Sequence, residues 1–501
     1  MLKTWDIFDT LIARRCIFPQ GVFQIIEQVS KVGGFVQARV TAERNLSMRG
    51  KGYSFDDIYE ELQRITNAPK NICDNLKKLE YDVEFEQSIP ISENIRKVKA
   101  GDILISDMYL PENFIRRLLE KAGLLTPVEI IITNNGKSSG RIWKQLSDQK
   151  EFVFHIGDNQ NADIKNPRLA GLESALTILS NPTPIEQYLL QRDFNFGAYL
   201  REIRLRNPFS EEIKRIYWQL FTINIGILIL FVQQLNRLQK KYGFEYLGFA
   251  GRDTYYLRLL YEKYKRERGE TPTPNDYLYY SRKLTRNSGE EMAKYFAAKI
   301  ENRKALIIDL VGSGIHIEYF RKKAGLTFSN LICICFRGES AKKAYADAKP
   351  PENLIPFTEN PETSVGNNAY FYFIDCGVKK MPFYPSVDIE NLNRATHNSP
   401  VRLKTVQIDK KIFPEVIFSE SNDTENFDVF EQCFNEVLRS KIISSTYAAN
   451  GGTKFEELLL PLISVINNSL VSLPLRGQHQ IIEQVDRNIL RVFENMVAEK
   501  K

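Results

Sequence analysis

Cysteine is scarce in this chain, and its spacing excludes two kinds of small-domain architecture. Six cysteines are spread over 501 residues, and no two of them form a CxxC pair. Cys333 and Cys335 instead alternate along one predicted strand. A disulfide framework or a tetrahedral zinc site needs cysteines in closer, regular groups. The pattern therefore predicts a reduced, cytoplasmic protein without either.

Long apolar runs and a dominant charge are also lacking. The most lipid-like stretch, 216–232, carries Gln219, Thr222 and Asn224, so it predicts a buried core helix rather than a membrane span. The chain runs directly into a strand pattern, and no signal peptide is expected. The net charge of +6 is small beside 68 basic and 62 acidic residues, which argues against a nucleic-acid partner. An anionic substrate or a membrane surface remains compatible with this charge.

Apolar runs alternate with helical patterns over the first 200 residues. The predicted strands are a first run that ends in Asp6, and then residues 102–105, 128–133, 152–156 and 174–178. Strands that alternate with helices form a parallel, doubly wound sheet, so the predicted fold class is α/β. Because reacting groups in such sheets lie beyond the carboxyl ends of the strands, the residues that follow each run are the candidates for chemistry.

A helical insert of about 80 residues separates the first two strands. Apolar residues recur at three- and four-residue spacing over 22–29, 35–46 and 55–65, and a further helix is predicted over 71–86. Ser54 and Asp57 resemble a capping box. The insert, about 16–98, is either helical filler or a cap that closes over a site and excludes water.

Polar residues at four strand ends predict a phosphoryl-transfer site. Asp6 is the candidate nucleophile, which would form an aspartyl-phosphate. Asp158 and Asp163 with Asp6 would hold Mg²⁺, which prefers oxygen ligands and shares them with a phosphate. Two other residues complete the site: Ser106 would donate a hydrogen bond to a phosphoryl oxygen, and Lys137 would neutralise charge between nucleophile and phosphate. The metal site is also predicted to include Phe8, two residues after Asp6, and Asp9 is a further catalytic candidate.

These stretches resemble the haloacid-dehalogenase superfamily of phosphatases. WDIFDT, LISDMY, Lys137 and HIGDNQNAD are similar to its four motifs, over roughly residues 1–190. One departure is that Phe8 stands where the resemblance implies an Asp general acid/base. General acid catalysis contributes about 10²–10⁴-fold. Its loss leaves three outcomes open: a slow phosphatase, replacement of the acid by Asp9 or a cap residue, or an inactive scaffold.

A second α/β pattern follows a predicted helix over 211–240. Predicted strands 246–250, 277–280, 305–308 and 331–336 each end in charged or polar residues. Basic strand ends together with a glycine turn at the start of a helix predict a polyphosphate site, since main-chain N–H groups there can cradle phosphate. The residues in this predicted site are Arg252, Asp253, Ser281, Arg282, Lys283, Asp309, Gly312, Ser313, Gly314 and Arg337.

KALIIDLVGSG resembles the ribose-phosphate loop of type I phosphoribosyltransferases, and GFAGRDT resembles their pyrophosphate loop. In place of the family's second acid stands Leu310, and the turn is one residue shorter. The order of the two halves is similar to that of two-domain ribofuranosyltransferases of bacterial polysaccharide assembly. That resemblance implies phosphoribosyl pyrophosphate (PRPP) as donor and a lipid-linked or growing glycan as acceptor.

The sequence thus predicts three regions, 1–200, 201–400 and a helical extension over 401–501. Helical patterns in the last region cover 427–442, 455–470 and 481–497, and these helices either pack on the second domain or contact an acceptor or membrane surface. Two alternatives to the ribosyltransferase stay open: a sugar-phosphate or nucleotide phosphatase whose second domain binds a nucleotide, and an inactive scaffold.

Overall fold

The chain divides into two compact units, residues 1–210 and 211–501. A computed structural model describes residues 2–50, 52–149, 153–209, 212–312, 315–336, 373–374, 395, 397–408, 411–420 and 427–446. The helices predicted over 455–470 and 481–497 lie outside these residues. Each unit is built on a parallel sheet with helices around it, which confirms the predicted α/β fold class.

The first unit contains a five-stranded parallel sheet in the order β5-β4-β1-β6-β7. Its strands, with a separate hairpin β2–β3, are β1 (Leu2–Trp5), β2 (Ile12–Arg14), β3 (Ser88–Pro90), β4 (Ile103–Asp107), β5 (Glu129–Thr133), β6 (Val153–Gly157) and β7 (Glu173–Leu176). Trp5, at the end of the central strand, is level with Leu104 on β4 and Ile156 on β6. Asp6 therefore leaves the sheet at the middle of its carboxyl edge.

Four helices form the insert after β2: α1 (Pro19–Ser30), α2 (Phe35–Met48), α3 (Phe55–Thr66) and α4 (Lys70–Gln87). Their apolar faces join one buried cluster with β1 and β4, as the three- and four-residue spacing predicted. The capping box at the start of α3 is present: the Ser54 hydroxyl accepts from the Asp57 N–H, and the Ser54 N–H donates to the Asp57 carboxylate.

A short antiparallel hairpin joins the insert to the sheet. In it Ile12 pairs with Pro90 and Arg14 pairs with Ser88. The next main-chain bond, from Arg15 N to Gln87 O at 2.9 Å, extends the pairing to the start and end of the insert. The hairpin was not predicted because three-residue strands carry no readable periodicity.

The remaining helices of the first unit cover the sheet or follow it: α5 (Ser92–Ile95), α6 (Glu112–Lys121), α7 (Arg141–Gln149), α8 (Asn166–Leu169), α9 (Pro184–Arg192) and α10 (Phe194–Leu205). A π-helical turn, Gln160–Lys165, precedes α8. Helices α9 and α10 share a buried charge cluster. Glu186 lies in it 2.5 Å from Arg204 Nε and 3.4 Å from Arg201 Nη1.

The second unit contains a parallel sheet in the order β12-β11-β10-β8-β9. The strands are β8 (Tyr246–Ala250), β9 (Asn275–Leu278), β10 (Ala305–Gly312), β11 (Ser329–Phe336) and β12 (Phe373–Ile374). The helices are α11 (Glu212–Tyr242), α12 (Tyr255–Glu267), α13 (Arg282–Asn287), α14 (Gly289–Ile300) and α15 (Ile315–Lys323). Within the described residues, every helix is too short or too polar to cross a bilayer. Residues 225 and 227–232 of α11 are buried, in agreement with a core helix.

Two strands of the second unit differ from their predicted extents. β9 ends at Leu278, so Ser281 caps the following helix instead of ending the strand. β10 continues to Gly312, so Asp309 lies within the strand, and the next helix, α15, begins at Ile315. Leu310 and Val311, which follow Asp309, favour continuation of the strand past the carboxylate.

A hairpin, β13 (Pro400–Ile408) and β14 (Lys411–Phe418), corrects the prediction that the region after 401 is wholly helical. Leu403 of this hairpin is buried in the core of the second unit, and its N–H donates to Ser288 Oγ at 3.1 Å. A helix, α16 (Phe427–Arg439), follows it. Phe434 stacks on Tyr256 of α12 with ring centroids 4.1 Å apart, so this part of the predicted extension packs on the second unit.

Candidate active site

Three carboxylates converge at the carboxyl edge of the first sheet. Asp6 follows β1, whereas Asp158 and Asp163 follow the adjacent β6. One oxygen of each side chain lies within 4.8 Å of an oxygen of the other two. Asp6 and Asp163 are buried. The two neighbouring strand ends therefore place three predicted site residues in one cluster of oxygen ligands.

Lys137 is the cation of this cluster. It is buried, its Nζ contacts Asp6 Oδ1, and it lies 2.6 Å from Asp163 Oδ1. Burial alone would lower the pKa of Lys137, but the charges of Asp6 and Asp163 outweigh burial and raise it. Lys137 is therefore positively charged and fixed between the two carboxylates.

The loop that carries Lys137 is held by Asp107, the last residue of β4. Asp107 Oδ1 accepts from the N–H groups of Gly136 at 2.9 Å and Lys137 at 3.0 Å, and Asp107 Oδ2 accepts from the Ser138 N–H at 2.9 Å. Burial opposes ionisation of Asp107, but these hydrogen bonds prevail and lower its pKa. No role was predicted for Asp107, because its place at a strand end does not show which N–H groups lie opposite it.

His155 fixes Asp163 from the side of β6. His155 Nε2 lies 3.2 Å from Asp163 Oδ1, and His155 Nδ1 lies 2.8 Å from Thr4 Oγ1. Burial lowers the pKa of this histidine, so the neutral ring donates from Nε2 to the carboxylate and accepts at Nδ1. The N–H of Asn159 donates to Asp163 Oδ2 at 2.9 Å. Both oxygens of Asp163 are thus held in place.

The charge states of the three carboxylates differ. Burial raises the pKa of Asp6. Burial and the neighbouring Asp6 and Asp9 raise the pKa of Asp158 to about 8. Burial also opposes ionisation of Asp163, but the hydrogen bond to His155 and the charge of Lys137 lower its pKa. Such a spread of pKa values among adjacent groups is typical of functional sites. Here a bound cation or a proton would balance the negative charge.

A cavity of about 700 Å³ lies over the cluster. Its floor is the carboxyl edge of the sheet, and its roof is formed by residues of α1 and α2. Ser106 and Asp9 line it, in addition to the carboxylates and Lys137. Burial raises the pKa of Asp9, whose φ of 57° places it in the left-handed region. The insert therefore covers the site as the predicted cap would.

The donor set could hold a divalent cation. Three carboxylate oxygens at one point suit a hard divalent cation, and Lys137 beside them compensates their excess charge. Phe8 lines the same cavity, but its ring has no ligand atom, so it can contribute only a main-chain oxygen. Metal, if bound, would be held by Asp6, Asp158 and Asp163.

Several predicted residues of the second crevice meet at the carboxyl edge of the second sheet. Ile308 is level with Phe249, so Asp309 is level with the last residue of β8. Arg252 and Asp253 follow in a 3₁₀ turn directly after β8. Both Asp253 and Asp309 add to the effect of burial in raising the pKa of the Cys333 thiol on β11. Both acids therefore lie near the Cys333 thiol.

The basic residues after β9 are less enclosed. Arg282 and Lys283 are exposed in the first turn of α13. Ser281 accepts from the Leu284 N–H at 3.0 Å and donates to the Pro400 carbonyl at 3.1 Å, which makes it a structural cap. Ser313, Gly314 and Arg337 lie outside the described residues.

A contact between β9 and the segment before β13 was not predicted from the sequence. The Tyr277 hydroxyl lies 2.7 Å from His397 Nε2, and His397 Nδ1 lies 2.8 Å from the Asn398 carbonyl. Because a carbonyl only accepts, Nδ1 is the protonated nitrogen and Tyr277 donates to Nε2. The segment before β13 thus packs against β9, which no pattern within β9 could indicate.

No protein-family model matches the chain, and no curated protein matches it either.

Proposed function

We propose that the chain is a bifunctional ribofuranosyltransferase that acts in two steps. The second unit would transfer 5-phosphoribosyl from PRPP to a hydroxyl of a lipid-linked or growing glycan and release pyrophosphate. The first unit would then hydrolyse the 5-phosphate and leave ribofuranose. The observation that carries the proposal is the convergence of Asp6, Asp158, Asp163 and Lys137 under a helical roof.

The hydrolytic step is assigned to the first unit. A carboxylate oxygen of Asp6 attacks phosphorus, the bond to the sugar oxygen breaks, and water then hydrolyses the aspartyl-phosphate. Lys137 neutralises charge between Asp6 and the phosphoryl group, and Ser106 hydrogen-bonds a phosphoryl oxygen. Asp107 and His155 hold Lys137 and Asp163 in position. Mg²⁺ bound by Asp6, Asp158 and Asp163 would neutralise phosphoryl charge.

The transfer step is supported by the second sheet edge. Arg252 and Asp253 follow β8 there, next to the strand that carries Asp309, and the exposed Arg282 and Lys283 could reach an anionic ligand. Basic groups at this edge would stabilise the departing pyrophosphate, and an acid would bind ribose hydroxyls. Since the acceptor is a glycan under assembly, we place the protein in the cytoplasm, at the inner face of the membrane.

A phosphatase whose second unit only binds a nucleotide is the second candidate. The continuation of β10 to Gly312 favours it, because Asp309 then lies within the strand and not in a loop beyond it, where a ribose-binding acid is expected. Release of pyrophosphate from PRPP that depends on the acceptor distinguishes the two. An inactive scaffold would bind Mg²⁺ without turnover of any phosphate ester.

The test is to incubate the protein with PRPP, Mg²⁺ and a glycan acceptor and to follow the acceptor mass. The wild type should add a pentose, and Asp6→Asn should accumulate the pentose phosphate. Asp74→Asn, at an exposed position on α4, is the matched control and should behave as the wild type. Absence of any pentose increment with plausible acceptors would refute the transfer step, and unchanged dephosphorylation by Asp6→Asn would reject Asp6 as nucleophile.

A further inference from the structure

Arg14 is a buried cation whose terminal nitrogens face the cavity of the first unit. Its side chain is 4% exposed, and its Nε donates to Glu84 Oε1 at 2.7 Å. Among the described residues, neither terminal nitrogen has a hydrogen-bond partner, and Arg14 lines the cavity above Asp6. These nitrogens are not among the fully buried atoms that lack a partner, so they are open to water or a ligand in the cavity.

Two further contacts hold Arg14 in place, one at its guanidinium and one at its main chain. Its central carbon lies 4.6 Å from the centroid of the Phe8 ring. The main-chain carbonyl of Arg14 accepts from Arg201 Nε at 3.0 Å, which anchors β2 below the side chain. Phe8 in turn forms a β-bridge with Ile12 two residues before Arg14. The Arg14 guanidinium is therefore held in place against the ring of Phe8, which is two positions from Asp6 in the sequence.

The other two cations that line the cavity are placed differently. Lys137 is committed to Asp6 and Asp163. Arg44 is exposed on α2, at the roof. Of these three cations, Arg14 is the one that is buried and not bound to the carboxylate cluster. It lies next to Phe8.

We propose that Arg14 binds the leaving-group oxygen of the phosphate ester, with Phe8 as the platform that orients it. This inference rests on the proposed phosphatase step. When an oxygen of Asp6 bonds to phosphorus, the bond between phosphorus and the sugar oxygen breaks. The electron pair stays on that oxygen, which takes a proton from water. Arg14 stabilises the negative charge before the proton arrives, and the substrate class is an alkyl phosphate, such as a glycoside 5-phosphate.

The test compares esters that differ in the basicity of the leaving group. Methyl ribofuranoside 5-phosphate leaves a basic alkoxide, whereas p-nitrophenyl phosphate leaves a weakly basic phenolate that needs little stabilisation. Removal of a preorganised donor costs about 10²–10³-fold in rate. We therefore expect Arg14→Met to lower kcat/KM for the alkyl ester about 100-fold and for the aryl ester less than about threefold.

Two further variants keep the test independent of folding. Because replacement of both members of a buried ion pair by apolar residues is often neutral for stability, Arg14→Met with Glu84→Met should give the same selectivity in a folded protein. Arg14→Lys retains the charge and should recover part of the alkyl activity, about tenfold over Arg14→Met. Arg116→Met, at an exposed position on α6, is the control and should leave both rates unchanged.

Equal losses for both esters would overturn the inference, since Arg14 would then bind the phosphate or shape the site. Unchanged rates would overturn it as well, most clearly if Asp9→Asn gave the alkyl-selective loss, because Asp9 would then be the proton donor. If the wild type hydrolyses neither ester, the proposed phosphatase step itself fails, and the inference fails with it.

Discussion

Gly157 leaves the space that the Asp163 side chain occupies. A Cβ atom on Gly157 would overlap Cγ, Cβ and Oδ2 of Asp163. The last residue of β6 must therefore lack a side chain for Asp163 to reach Lys137.

Gly157→Ala should displace Asp163 from the cluster. We expect kcat/KM on phosphate esters to fall about 100-fold, since an error of about 1 Å in a positioned group can cost that much. The free energy of unfolding should fall by about 1–3 kcal/mol because of overpacking. Gly33→Ala is the control, because a Cβ there has nothing within 4 Å. Unimpaired activity of Gly157→Ala would show that Asp163 need not hold this position.

Asp107→Ala should loosen the loop that carries Lys137. Three main-chain N–H groups would lose a charged acceptor, so unfolding in urea should become easier by at least about 2 kcal/mol. The phosphatase kcat should fall about 100-fold as Lys137 loses its position. Asp57→Ala removes a carboxylate that also binds main-chain N–H, but on the surface of α3, and should retain activity. Equal activity of the two variants would argue against a positioning role for Asp107.

Magnesium should stabilise the first unit against heating. A ligand at 100 times its dissociation constant adds about 2.7 kcal/mol, which corresponds to about 5–10 °C in the midpoint of a unit of this size. Asp158→Asn removes one of the three ligands and should lose most of the shift. Asp148→Asn, at an exposed position on α7, should keep it. The measurement is scanning calorimetry with and without Mg²⁺, and an undiminished shift in Asp158→Asn would exclude this residue as a ligand.

Glu186 should make the first unit sensitive to acid. Burial opposes its ionisation, but the charges of Arg204 and Arg201 outweigh burial and lower its pKa from 4.5. A carboxylate with a lowered pKa in the folded state contributes stability above its unfolded pKa, and this stability is lost as the pH falls below about 4.5.

Glu186→Gln should therefore cost about 3–5 kcal/mol at pH 7, as expected when one partner of a buried pair is removed. Its stability should also fall less steeply than that of the wild type between about pH 5 and 3. Glu112→Gln, in an exposed pair with Arg116, should change stability by less than about 1 kcal/mol. Urea titrations at several pH values provide the measurement. Parallel pH profiles for wild type and Glu186→Gln would contradict the assignment.

The strand ends of the first sheet could be predicted because each combines an apolar run with a polar residue at its end. From the sequence alone, this pattern places Asp6, Ser106, Lys137, Asp158 and Asp163 at one edge. Asp107, His155 and Gly157 could not be assigned in this way. Their roles depend on which loop N–H, carboxylate or open space lies opposite them, and one-dimensional spacing does not contain that information.

The second unit was less predictable for a related reason. Strand extents decide which residues lie beyond the sheet, and β10 runs four residues further than its predicted end at Ile308. The hairpin after Pro400 is stabilised by contacts with residues more than 100 positions earlier, such as Ser281 and Ser288. Tertiary contacts of this kind decide the conformation of segments whose local pattern is weak.

The helical insert starts and ends at neighbouring residues, so it can be exchanged by protein engineering. Since Arg15 and Gln87 are hydrogen-bonded neighbours, a short turn could join them, and the strands on either side would keep their register. The floor of the cavity and its helical roof are thus encoded by separable segments of the sequence. Exchanging the roof would alter which esters can enter, while the residues that perform the chemistry on the floor stay where they are.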